Sequence, residues 1–359
     1  MAEIVDWALA AKVAGLIGER VSPPGPYDRA RLETDLMEAT VEAEELVAAE
    51  TGLRSTSGAA RARVVDRTDW AKANVASFRR LLGPVLGKLG GKGANSVLAP
   101  VLNKVTAAEM GALLGWMSSR VLGQYDLLLA EDDHPEDQDI VYYVGPNIAA
   151  LEKRHGFDPK QFRLWIALHE LTHRAQFTGV PWMRGHFVSQ VDGIVGSLRV
   201  DPAHLAAVVR RSVEDIRAGR NPLDDGGLAA MFASPEQREK LDSLGAMMSL
   251  LEGHGDVIMN RASQGRVPDA EQFHAALHAR RAQVGPAARL LQKLLGLESK
   301  MRQYEAGERF IAGVEQIGGP KAIDAAWLEP ANLPNKAEIS DPAAWVARVV
   351  TPPALASSF

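Results

Sequence analysis

Residues 167–174 read Ala-Leu-His-Glu-Leu-Thr-His-Arg, and His169-Glu170-Leu171-Thr172-His173 has the H-E-x-x-H spacing of zinc hydrolases. On a helix His169 and His173 sit one turn apart on one face, close enough to grip a single divalent ion. Glu170, beside the first histidine, is placed to take a proton from water held by that ion. The chemistry suggested is hydrolysis at one catalytic Zn2+. Two histidines are too few for it, because catalytic zinc takes three protein ligands and keeps one position open. The chain has no cysteine, so thiolate zinc sites, cysteine nucleophiles and disulfides are excluded. Any metal must therefore be held by histidine and carboxylate.

A third histidine in the pattern H-E-x-x-H-x-x-G-x-x-H would fall at 179, but residue 176 is glutamine and residue 179 is glycine. That leaves a carboxylate from a later helix. Leu251-Glu252-Gly253-His254-Gly255-Asp256 offers Glu252 as the ligand. Asp256, four residues on and on the same face, suits a group accepting the outer N–H of a ligand histidine. His254 is the rival ligand, but it points about 200° around the helix from Glu252, so the two cannot easily share an ion. Gly253 and Gly255 each cost a helix about 1 kcal/mol against alanine, which signals a close neighbour, either another helix or a substrate. Residue type alone names Tyr304, His254 and Arg302 as donors to a tetrahedral oxyanion and does not choose among them.

Competing patterns are weaker. Glu170-x-x-His173 is also the E-x-x-H of di-iron carboxylate bundles, but Glu252-Gly253-His254 is one residue short of the second copy. His274 and His278 are four apart with no glutamate between them and read as a solvated or packing face. A non-enzymatic alternative is a structural metal closed by four protein ligands, or a helical scaffold without peptidase activity.

The elements that must position these groups are mostly helical. Asp158, Pro159 and Gln161 read as an N-cap, a first-turn proline and a capping box, and Gly179 and Pro181 end the segment. Phe162, Trp165, Ile166, His169, His173, Gln176 and Phe177 keep a helical period between them, so the motif sits mid-helix on a strongly apolar segment. Upstream helices are expected over 4–20, 27–50, 66–82 and 96–121. Downstream ones are expected over 182–198, 201–218, 234–264, 269–284, 286–295, 298–317 and 341–350. Two short strands, 124–129 and 140–144, flank an acidic loop at 131–139 and read as a hairpin. Strand 140–144 is the candidate edge strand for pairing with an extended peptide. The glycine-rich stretch 83–93 lacks a phosphate-loop pattern and reads as a joint. This gives an N-terminal helical region at 1–95, a catalytic region at 96–350 and a loose tail at 351–359.

Composition is ordinary for a globular chain of 359 residues, 46% apolar and 24% charged, with a formal net charge of −5 and both signs interspersed. Nothing in it suggests a nucleic-acid footprint. Residues 1–21 carry charges throughout and lack the form of a signal peptide, and no uncharged apolar run of 18 occurs. The expectation is a cytoplasmic protein that does not enter membranes.

The segment His169 to Phe177 (His-Glu-Leu-Thr-His-Arg-Ala-Gln-Phe) and the segment Leu251 to Asp256 together resemble the zincin-like zinc metallopeptidases of the Zincin_2 type. Further points of similarity are Leu122-Gly123-Gln124-Tyr125-Asp126, Tyr143-Val144-Gly145-Pro146-Asn147 and Gln303-Tyr304-Glu305-Ala306-Gly307-Glu308-Arg309-Phe310. The resemblance covers most of the chain. It implies a mainly α, zincin-like (gluzincin-type) fold, a His-His-Glu zinc site and a peptide or protein substrate. The family also carries a label associating it with deazaflavin-coenzyme biosynthesis, for which no residue pattern in this chain argues.

Overall fold

A computed structural model describes residues 5–21, 27–90, 99–125, 139–196, 235–282 and 298–351. The expected helices at 201–218 and 286–295, most of the acidic loop and most of the C-terminal tail lie outside these residues. The fold is mainly α with one small sheet. None of the described helices is long and apolar enough to cross a membrane. The chain groups into two compact units, Met1–Gly179 with Ile258–Ala276, and Val180–Val257 with Leu277–Phe359.

The first unit holds α1 (Trp7–Val21), α2 (Arg29–Thr51), β1 (Arg61–Val65), α3 (Arg67–Gly90), α4 (Ala99–Ser118), β2 (Gly123–Tyr125), β3 (Ile140–Val144), α5 (Gly145–His155) and α6 (Pro159–Gly179). α3 runs through Gly83 and Gly87, beyond the expected end at residue 82. α1 and α4 cross closely, since a Cβ on Gly111 or Gly115 would lie 2.4 Å from the Ala10 carbonyl oxygen or 2.5 Å from that of Ala14. Ala10 and Ala14 join Trp70 and Val75 of α3, Leu114 of α4 and Ile140, Tyr142 and Val144 of β3 in one core.

The sheet has the order β1-β3-β2, with β1 parallel and β2 antiparallel to β3. This corrects the sequence reading twice. β1, Arg-Ala-Arg-Val-Val, was not expected, because only Val64 and Val65 of it are buried and the arginines hide its strand pattern. β3 is the central strand, paired on both sides, so it cannot be the edge strand that accepts a peptide. All five of its residues are buried, as an unbroken apolar strand covered on both faces requires. β1 and β2 are the edges, and β2 packs beside α6.

α6 is the most enclosed helix of this unit, with fifteen of its 21 residues buried. Asp158 caps it, accepting the Gln161 N–H at 2.9 Å. The reciprocal half of the expected capping box is spent elsewhere, because Gln161 Oε1 accepts from the Asp269 N–H at 3.1 Å. At the other end the Thr178 carbonyl accepts from both the N–H and the hydroxyl of Thr56. Two arginines eleven residues apart, three turns and hence one face, hold the helix laterally. Arg163 forks onto Glu152 at 2.8 and 2.9 Å and also bonds Asp35. Arg174 donates to Asp139 at 2.9 and 2.6 Å, to Glu44 at 2.5 Å and to the Gly58 carbonyl at 2.8 Å. Because Asp35 and Glu44 follow the same order along α2 as their arginines along α6, the two helices run parallel. Burial works against the Arg174 charge, but Asp139 and Glu44 outweigh it and raise its pKa above the ordinary guanidinium value.

The second unit contains α7 (Met183–Gly196), most of α8 (Pro235–Ala262), the end of α9 (Ala270–Ala282) and α10 (Glu298–Gly318). Short helical turns follow at Ala322–Trp327, Pro330–Asn332, Lys336–Ser340 and Pro342–Trp345, and Val346–Val350 forms a turn of π-helix. α8 and α10 touch backbone to backbone, since a Cβ on Gly253 would lie 2.3 Å from the Gly307 carbonyl carbon, and one on Gly307 would lie 1.9 Å from the Ser249 carbonyl oxygen. The close neighbour that Gly253 signalled is therefore another helix.

Replacing Arg174 by methionine leaves Asp139 and Glu44 facing each other without a cation, and is expected to cost about 3 kcal/mol of unfolding free energy. Urea denaturation checks this, and a loss below about 1 kcal/mol would make the network no more than a surface pair.

Candidate metal centre

His169 and His173 are half-buried on α6, on a face about a quarter to a third of a turn from the arginines, and Glu170 is buried. The two Nε2 atoms stand 3.3 Å apart. Two nitrogens bonded to one tetrahedral zinc at about 2.0–2.1 Å would be about 3.3–3.4 Å apart, so the pair is spaced as a chelate. His173 Nδ1 lies 3.0 Å from Gln176 Oε1. With Oε1 as the acceptor, Nδ1 is the nitrogen that would carry the proton, leaving the Nε2 lone pair for a metal. Gln176 is thus the orienting partner of His173, three residues on along the same face and fully buried. From the sequence Gln176 reads as a member of the helical period and as ruling out a third-histidine pattern, not as a partner of His173. The i, i+3 spacing of a buried amide from a ligand histidine was the signal that could have found it.

Glu252 supplies the third donor. Ligand atoms of His169, His173 and Glu252 all lie within 4.8 Å of one another, and theirs is the one such group among the described residues. Two imidazoles and one carboxylate, without sulfur, form the donor set of a catalytic zinc site with one position left over. His254 is not part of the group. It is buried with its ring edge-on to Trp327 at 4.9 Å, which explains a histidine in an apolar setting without a metal. Asp256 is buried one turn beyond Glu252 on the same helix. The side chains of Arg302 and Tyr304 lie outside the described ones.

Glu170 faces β2. Its Oε2 accepts from the Tyr125 N–H at 3.1 Å, and Gly123 lies against its side chain. The arrangement speaks against the di-iron reading, which needs Glu170 among the ligands. Tyr143, fully buried on β3 with its hydroxyl 2.9 Å from Thr40 Oγ1, has a raised pKa. Burial is the main cause and the charge of Glu170 adds to it, so the phenol stays neutral.

The Zincin_2 family, described as zincin-like metallopeptidase, matches residues 5–346. The chain belongs to this family. Among solved structures, the zincin-like chain is similar to a Chloroflexus aurantiacus protein described as "a putative hydrolase with a novel fold". The two share 28% identity over 96% of this chain and 98% of that one, with a TM-score of 0.71. No curated protein matches the chain.

Gln176→Leu keeps the volume and removes the acceptor for His173 Nδ1–H. Zinc affinity of this zincin-like protein, measured by competition with a chromophoric chelator, is expected to fall about 10–100-fold. Unchanged affinity would show that Gln176 does not orient the ligand.

Proposed function

We propose that the chain is a zinc-dependent peptidase that hydrolyses peptide bonds, with His169, His173 and Glu252 as zinc ligands and Glu170 as general base. The observation that carries this is the convergence of two imidazole nitrogens and one carboxylate within 4.8 Å, with the glutamate of the H-E-x-x-H motif beside them in sequence. Zinc bound there would lower the pKa of a water to about 7 and polarise a carbonyl.

The remaining work falls to the chain's own side chains. Gln176 keeps the Nε2 lone pair of His173 turned to the site. Asp256, one turn beyond Glu252, is assigned the part of accepting the outer N–H of a ligand histidine. Glu170 accepts the proton of the attacking water and returns it to the leaving amine. The substrate is a peptide or protein, met where β2 borders Glu170.

Metal analysis joined to digestion of an unbiased peptide library tests this reading. The intact chain is expected to hold one zinc and to cleave. Glu170→Gln is expected to keep the zinc and lose about 10²–10⁴ in kcat. Full-rate cleavage by Glu170→Gln would reject the mechanism. Zinc bound without any cleavage by the intact chain would favour a metal-binding protein without peptidase activity.

A further inference from the structure

β2 meets Glu170 in two different ways. The Tyr125 N–H donates to Oε2 at 3.1 Å, an attractive and directional contact. Gly123 sets a steric limit, for a Cβ there would stand 2.6 Å from Glu170 Cγ, 2.7 Å from Oε1 and 2.8 Å from Cδ. Between them they bound the carboxylate with one attractive and one steric contact.

The strand register makes this possible. Gly123 lies opposite Tyr143 and Tyr125 opposite Val141, and the Leu122 carbonyl accepts from the Val144 N–H at 2.8 Å. In an antiparallel pair main-chain groups alternate in direction, so Leu122 and Gln124 face β3 while Gly123 and Tyr125 face away. The Tyr125 N–H can therefore serve Glu170 without costing the sheet a bond. Gly123 is not among the glycines with positive φ, so its backbone conformation does not demand glycine. The space taken by Glu170 does. The atoms a methyl would meet belong to a side chain that can rotate, so the clash is relieved by turning the carboxylate out of its slot rather than by unfolding.

We propose that Gly123 is a positioning residue for the general base, keeping open the slot in which the Tyr125 N–H fixes the Glu170 carboxylate. This rests on the reading of Glu170 as the base, and it concerns a contact that can be measured without turnover.

The test is Gly123→Ala, followed by amide hydrogen exchange at Tyr125 and by kinetics of the zinc-loaded protein. The Tyr125 amide is expected to exchange at least about tenfold faster in Gly123→Ala, and equally so in Glu170→Ala, because both remove its acceptor. kcat is expected to fall about 10²-fold with KM and zinc affinity within about twofold, as for a misplaced catalytic group. Unchanged Tyr125 exchange in Gly123→Ala, or an unchanged kcat, overturns the proposal. If Gly123→Ala does not fold, recovery in Gly123→Ala/Glu170→Ala supports the shared slot, and failure of the double variant overturns it. Faster exchange in a protein whose unmodified form cleaves nothing would uphold the slot and reject the peptidase reading instead.

Discussion

The Arg174 guanidinium is 1% exposed, and the placement of the helix that carries the H-E-x-x-H motif depends on how it is neutralised. A cation taken so far out of water is tolerable only if several acceptors surround it, and here Asp139, Glu44 and the Gly58 carbonyl do so. These partners come from α2, from the segment leading into β1 and from the residue just before β3. One side chain thereby ties the helix next to His173 to three other parts of the chain. Asp139 adopts a left-handed φ of 55°, the one non-glycine to do so among the described residues. That conformation costs free energy, and the forked bond to Arg174 offsets it. With Arg163 three turns earlier, the helix is fixed in rotation as well as in depth, which is what two imidazoles need if their nitrogens are to meet at one point.

Much of this was legible in the residues. The cap at Asp158, the apolar period to Phe177 and the stop at Gly179 located the central helix almost to the residue. Glu252 as a candidate ligand for a site about eighty residues upstream came from counting ligands, from the absence of cysteine and from the companion Asp256, and its carboxylate does group with the two histidines. What escaped detection had physical reasons. β1 carries two arginines in five residues and is held by its parallel pairing with β3 rather than by its own pattern. The central position of β3 was written in its unbroken apolar run, but a short apolar strand next to a catalytic helix is equally what an edge strand looks like in isolation. Gln161 matched a capping box and caps a different helix, because an amide side chain goes to whichever donor the tertiary fold brings near.

The glycines near the site answer to two separate demands. Gly253 and Gly307 let two helix backbones touch, so their smallness serves packing. Gly123 faces a carboxylate instead, and its smallness serves the orientation of a functional group. Nothing in the sequence separates the two cases; only the identity of the neighbouring atom does.

The central claim is that His169, His173 and Glu252 bind one ion and leave a coordination position for water and substrate. Anomalous diffraction at the zinc edge from zinc-loaded crystals tests it most directly. The account predicts one strong peak within bonding distance of both Nε2 atoms and an oxygen of Glu252, with no fourth protein ligand, as catalytic zinc requires. A peak elsewhere, or an ion closed off by a fourth side chain, would contradict it.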